Sequence, residues 1–190
     1  MSTTKTEYMT LADAFEHFNK RLFGGKLPQA LITLQRKSRS RGYFSPSRFT
    51  SRTSKATTHE IALNPDTFHG RTDREIFSTL VHELVHLWQE DNGTAPATAY
   101  HNKEWAAKME EVGLQPSANG KEGGKRTGQH MTHYIIDGGA FDQATSALKG
   151  TKLQWESVKQ SKKAKKKTAS KTKFTCVECE ANVWGKPDSN

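Results

Sequence analysis

Thr72-Asp73-Arg74-Glu75-Ile76-Phe77-Ser78-Thr79-Leu80-Val81-His82-Glu83-Leu84-Val85-His86-Leu87-Trp88-Gln89-Glu90-Asp91-Asn92-Gly93 reads as one helix with both ends marked. Thr72-Asp73-Arg74-Glu75 has the form of a capping box, in which the Thr72 hydroxyl covers the Glu75 amide and Glu75 reaches back. Ile76, Phe77, Leu80, Val81, Leu84, Val85, Leu87 and Trp88 then run around most of the circumference, so the helix is expected to be buried on several sides. Asn92-Gly93 is expected to end it with a left-handed residue. Three polar side chains stand in the middle of this apolar segment: His82, Glu83 and His86.

Residues four apart on a helix project from one face about a turn apart, so the His82 and His86 imidazoles can reach one ion. Glu83 lies beside them, placed to hold a water and take its proton rather than to ligate. This is the H-E-x-x-H arrangement of zinc hydrolases, expected by chance roughly 0.02 times in a chain of this composition. Two imidazoles and a carboxylate in a buried helix are costly without a partner, which favours a metal over two core histidines. A catalytic zinc takes three protein ligands and keeps one position open. His101 is the leading third ligand, since it follows the Asn92-Gly93 turn and a loop containing Pro96, at the mouth of the next helical stretch. His130 and His133, in Gly-Gln-His-Met-Thr-His-Tyr, are its rivals, as ligands or as cleft-lining or supporting groups. His17, His59 and His69 receive no functional assignment.

His82-Glu83-Leu84-Val85-His86, followed by His101 in Tyr-His-Asn-Lys-Glu-Trp, resembles the SprT-like metallopeptidases. That family places its third histidine just before a helix in a segment like His-Gly-x-x-Phe; here Asn102 replaces the glycine and Trp105 the aromatic. Leu22-Phe23-Gly24-Gly25-Lys26-Leu27-Pro28 and Glu60-Ile61-Ala62-Leu63-Asn64 are also similar to family segments, so the resemblance spans roughly residues 8 to 115. It implies a zincin-like metallopeptidase domain, with a small mixed or antiparallel sheet packed against the H-E-x-x-H helix. It further implies zinc on His82, His86 and His101, with Glu83 as the catalytic base. Phe174-Thr175-Cys176-Val177-Glu178-Cys179 followed by Val183-Trp184-Gly185-Lys186 is similar to the first half of the zinc ribbon that ends many such proteins. A structural zinc wants four ligands and no Cys or His follows Cys179, so this pair alone is not expected to build an independent ribbon.

Outward from the central helix, the pattern is helical from Thr10, with Leu11, Ala14, Phe15, Phe18 and Leu22 on one face until Gly24-Gly25 and Pro28 stop it. Leu31 to Gln35, Gly42 to Phe49 and His59 to Leu63 read as strands. Asn102 to Val112 reads as a helix closed by Gly113, residues 115 to 128 as a loop, His133 to Ile136 as a short strand and Phe141 to Leu148 as a short helix. A helix, then strands, then helices is an α+β order rather than a regular βαβ series. Three regions are expected: a SprT-like domain over residues 1–156, a disordered lysine-rich linker over 157–173, and a partial ribbon-like tail over 174–190.

Charge divides along the same lines. The 190 residues carry a net +9, yet residues 157–173 hold eight lysines without an acid. Residues 36–58 hold Arg36, Lys37, Arg39, Arg41, Arg48, Arg52 and Lys55, again without an acid. A net acidic body thus bears two basic segments, which suggests a polyanionic partner, with nucleic acid the commonest. Tyr43, Phe44 and Phe49 interleave the second segment; they are expected to face the core, with the arginines open to a phosphate backbone. The SprT-like resemblance implies a use for this charge, since the Spartan relatives degrade proteins crosslinked to DNA and are switched on by it. Two functional classes follow: a zinc peptidase acting on protein substrates, including those on DNA, and a non-catalytic zinc-containing nucleic-acid-binding protein. Glu83 separates them, because a structural site needs no base beside an open position. The peptide substrate is expected to lie along an edge strand around His59 to Leu63. Only two cysteines, a mean hydropathy of −0.81 and no apolar run of bilayer length lead to the expectation of a cytoplasmic protein with no membrane partner.

Overall fold

The computed structural model describes residues 2–148, 150–158 and 171–186. The chain divides into two units, Met1–Val158 and Lys159–Asn190. The first is an α+β unit built around the helix marked above. Its elements run α1 (Thr3–Leu22), β1 (Ala30–Leu34), β2 (Gly42–Thr50), β3 (Thr57–Leu63), α2 (Asp73–Asn92), α3 (Lys103–Glu111), β4 (Leu114–Ser117), β5 (Thr132–Ile135) and α4 (Ala140–Ala147).

The capping box fixes where α2 starts. The Thr72 side chain accepts from the Glu75 amide at 3.3 Å, while Glu75 Oε2 accepts from the Thr72 amide at 2.7 Å. Such a cap contributes about 1 kcal/mol. From Ile76 to Val85 every residue is buried, as the all-round apolar pattern predicts. The C-terminus differs from expectation. Gly93 lies in extended backbone, at φ −123° and ψ −153°, not in the left-handed region. Its role is close approach: a Cβ there would stand 2.7 Å from Glu104 Oε2, which accepts from the Thr94 amide.

α1 begins at Thr3, well before Thr10, because the Ser2 side chain caps it by accepting from the Lys5 amide. The polar first turns carry no apolar period, so the sequence pattern hides them. Leu11, Ala14, Phe15 and Phe18 are buried, and Phe18 packs against Phe77 of α2 and stacks on Phe141 of α4. Asn19 brackets the turn that follows, bonding both the amide and the carbonyl of Leu27.

The main sheet has the order β1-β3-β2, with β1 parallel and β2 antiparallel to β3. β3 is therefore its centre, which overturns the expectation that His59–Leu63 forms a substrate-binding edge. The physical sign is burial on both faces: Glu60, Ile61, Ala62 and Leu63 are all buried, as befits a central strand and not a half-exposed one. The edge beside α2 is β2, where Gly42 pairs with Leu63 and Phe44 with Ile61 before a bulge between Ser45 and Phe49. The aromatics of this strand divide. Phe44 packs against the core, while the Tyr43 ring carries the Lys37 ammonium 4.4 Å from its centroid.

β4 and β5 form a second, two-stranded antiparallel sheet, and Arg74 of α2 bonds Asp142 of α4 at 2.8 Å. In the second unit, β6 (Thr172–Thr175) and β7 (Asn182–Gly185) make an antiparallel hairpin, with Cys176 and Cys179 exposed and unbridged at its turn. The segment expected to be a linker lies mostly outside the described residues, and its last two positions, Thr172 and Lys173, already belong to β6. Among the described residues no helix is long and apolar enough to cross a membrane.

Candidate metal centre

Three elements bring the polar residues of α2 to one point. His82, Glu83 and His86 project from the helix toward a cleft of about 830 Å³, whose walls include Gly42 to Phe44 of β2 and the loop from Ala95 to His101. His101 is held from two sides. Its amide and carbonyl pair with Gly128, at 2.9 and 3.1 Å. On the other side Asn102 caps α3 by accepting from the Trp105 amide, and its carboxamide also accepts from Gln89. Gln89, one turn past His86, bonds Glu104 as well. This latch folds the chain back so that His101 Nε2 lies 3.1 Å from His86 Nε2.

Candidate ligand atoms of His82, His86 and His101 all lie within 4.8 Å of one another, so the three can hold a metal ion. The His101 Nδ1–H donates to the Gly128 carbonyl, leaving Nε2 as the lone-pair nitrogen. Burial and mutual proximity hold the imidazoles neutral, the form a metal requires. Burial, then the neighbouring His86, His133 and His101, pushes His82 well below 6.5; burial and His101 push His86 down to about 3. Burial also lowers His101, against the Gly128 and Gln129 backbone bonds that raise it. Trp105 is the floor of the site, with ring centroids 5.0, 5.5 and 4.4 Å from those of His82, His86 and His101.

Glu83 is buried, and burial raises its carboxyl to about 8 against the pull of Lys37 and a bond from the Phe44 backbone. Gly42 makes room for it. A Cβ on Gly42 would meet the Ala62 carbonyl at 2.8 Å and Glu83 Oε1 at 3.0 Å. His133 does not join the cluster of candidate ligands, but its Nδ1 lies 3.2 Å from Nδ1 of His82. His130 is exposed at the cleft wall. His17, His59 and His69 bond Ala144, Ser47 and Glu156, away from the cluster.

Gln89, Gly128 and Ser78 are contributors that residue-level reading missed. Gln89 had a signal: it lies seven positions after His82 on an otherwise apolar helix, and so shares the histidine face. Ser78, four positions before His82, shares that face as well, whereas Gly128 had no signal.

The buried histidines set the pH response of the metal-free protein. His82, His86 and His133 have folded values far below 6.5, and His133 is pushed to about 3 by burial, Arg41 and Arg71. Their contribution is present above pH 6.5 and lost as pH falls toward 3. Glu83 acts oppositely, its contribution being lost as pH rises from 4.5 through about 8. Urea unfolding of the metal-free protein is therefore expected to show maximal stability near pH 6.5, with a loss of roughly several kcal/mol by pH 4. A flat profile between pH 4 and 7 would contradict the buried, neutral histidines.

The fold and the three-histidine cluster define an α+β unit with a site that could hold a metal ion. Residues 11–127 match the SprT-like family. The chain belongs to that family. It is also 47% identical over 58 residues to an uncharacterized protein in the mucB 3′ region of Salmonella typhimurium, over 30% of this chain and 78% of that one.

Proposed function

We propose that the protein is a zinc-dependent metallopeptidase, with His82, His86 and His101 as ligands and Glu83 as general base. The observation that carries this reading is a buried carboxyl beside three converging neutral imidazoles, all opening on one cleft. The donor set fits zinc. Two nitrogens on a tetrahedral zinc at about 2.05 Å are about 3.3 Å apart, and His86 Nε2 and His101 Nε2 stand at 3.1 Å. Bound zinc supplies a Lewis acid that polarises a carbonyl and lowers the pKa of a water to about 7.

The chain's own residues do the remaining work. Glu83, with a carboxyl held near neutrality, takes a proton from the attacking water and delivers it to the departing amine. The Phe44 amide and the space left by Gly42 fix the carboxylate. A substrate peptide in extended form adds to β2, the sheet edge that lines the cleft. Pro46 and the bulge interrupt β2 after Gly42–Ser45, the stretch next to Glu83, before pairing with β3 resumes at Phe49, and so blunt the rest of the edge.

Lys37, Arg39 and Arg41 rim the same cleft, which supports protein substrates associated with nucleic acid as the class acted on. The wild-type protein is expected to hold one zinc and to cleave an unfolded protein or a DNA-bound one, with loss on chelation and recovery on adding zinc. Tight nucleic-acid binding with no cleavage under any condition would turn the reading into a non-catalytic one.

A further inference from the structure

We infer that His133 is a positioning residue: with Ser78 it fixes the His82 proton on Nδ1 and so presents Nε2 of His82 to the metal. The inference rests on the metallopeptidase reading for its purpose, but its geometry stands in the hydrogen bonds alone.

The direction of each bond follows from the acceptor at the far end. The Glu75 carbonyl can only accept, so at 2.8 Å it takes the Ser78 hydroxyl proton. The Ser78 oxygen has then no proton to offer, and with His133 Nε2 at 2.9 Å it must accept one from the imidazole. With that proton on Nε2, neutral His133 keeps a lone pair on Nδ1. His82 Nδ1, 3.2 Å away, must donate to it. The lone pair of His82 is thereby placed on Nε2. His101 reaches the same tautomer through the Gly128 carbonyl, so two of the three proposed ligands are set by outer partners.

Both ring nitrogens of His133 are used in this chain, which excludes it as a third ligand and as a group acting on substrate. The relay also explains why a serine sits buried in the apolar face of α2, one turn before His82. Ser78 and His82 are four apart, so the helix itself sets the gap that the His133 ring spans from β5.

The test compares three substitutions by zinc affinity, measured against a chromophoric chelator, and by the histidine ¹⁵N resonances of the metal-free protein. His133→Leu removes the acceptor and is expected to weaken zinc binding about 10- to 100-fold. His133→Asn places a carbonyl oxygen near the Nδ1 position and is expected to restore most of that loss. His133→Gln places its amide near Nε2, keeps the Ser78 contact, and is expected to stay weak. In the wild-type metal-free protein the ¹⁵N shifts should put the His82 proton on Nδ1; in His133→Leu the two tautomers should mix.

Wild-type zinc affinity in His133→Leu, or an Asn variant no better than Gln, overturns the inference. If the Leu variant does not fold, the Asn and Gln pair still decides. A wild-type protein that takes up no zinc sinks the metallopeptidase reading, while the ¹⁵N tautomer of His82 separately upholds or refutes the hydrogen-bond chain.

Discussion

Glu83→Gln is expected to lower the rate of protein cleavage by about 10²- to 10⁴-fold, the usual contribution of a positioned general base, while leaving zinc content unchanged. Glutamine is nearly isosteric, and its amide oxygen can keep the bond from the Phe44 backbone. It cannot take a proton from water. Nor does the variant lose stability by the change, because it removes a buried ionisable group whose charging the fold resists up to about pH 8. Loss of turnover therefore cannot be assigned to unfolding if the far-UV spectrum and metal stoichiometry match the wild type. Initial rates on an unfolded protein substrate, taken at saturating zinc, decide the matter. Rates within twofold of wild type would remove Glu83 from the mechanism and leave the cluster as a structural site.

The helix that carries the proposed chemistry was legible because its signals are local. A capping box, an apolar circumference and a four-residue histidine spacing each depend on neighbours in sequence, and all concern α2. His101 was legible only as a candidate, since no local pattern shows that Gln89 and Gly128 bring it back to His86. What failed was non-local. His59–Leu63 alternates weakly, like an edge strand, yet it lies between β1 and β2; strand order depends on pairing partners that periodicity does not name. Gly93 was expected to serve by its backbone freedom and serves instead by lacking a side chain beside Glu104. His133 stood next to His130 as an equivalent rival. Only the register of β5 against β4 and the neighbouring Ser78 separate the two roles.

The basic rim of Lys37, Arg39 and Arg41 bears directly on the cleft. Burial raises the Glu83 carboxyl while Lys37 lowers it, so the residue proposed to meet phosphate also tunes the proposed base. A polyanion seated on Lys37 would weaken that pull. The proposed base and the proposed nucleic-acid contact would thus be coupled through one side chain.

His101→Ala is expected to weaken zinc binding more than about 100-fold, beyond the range of an outer partner such as His133, and to abolish cleavage at stoichiometric zinc. The fold should survive. The turn that presents His101 is held by backbone bonds to Gly128 and by the Gln89–Asn102–Glu104 cluster, and none of these uses the imidazole. The variant gives up the imidazole's bonds to the Gly128 carbonyl and to His86 Nε2, so the metal-free protein is expected to lose some stability without losing the fold. His130→Ala provides the contrast, since that ring is exposed on the cleft wall and outside the three-histidine cluster. Zinc titration should show unchanged affinity there. If His101→Ala instead binds zinc as tightly as wild type while His130→Ala does not, the third ligand is His130, and the loop carrying it must close onto α2 when the metal is bound.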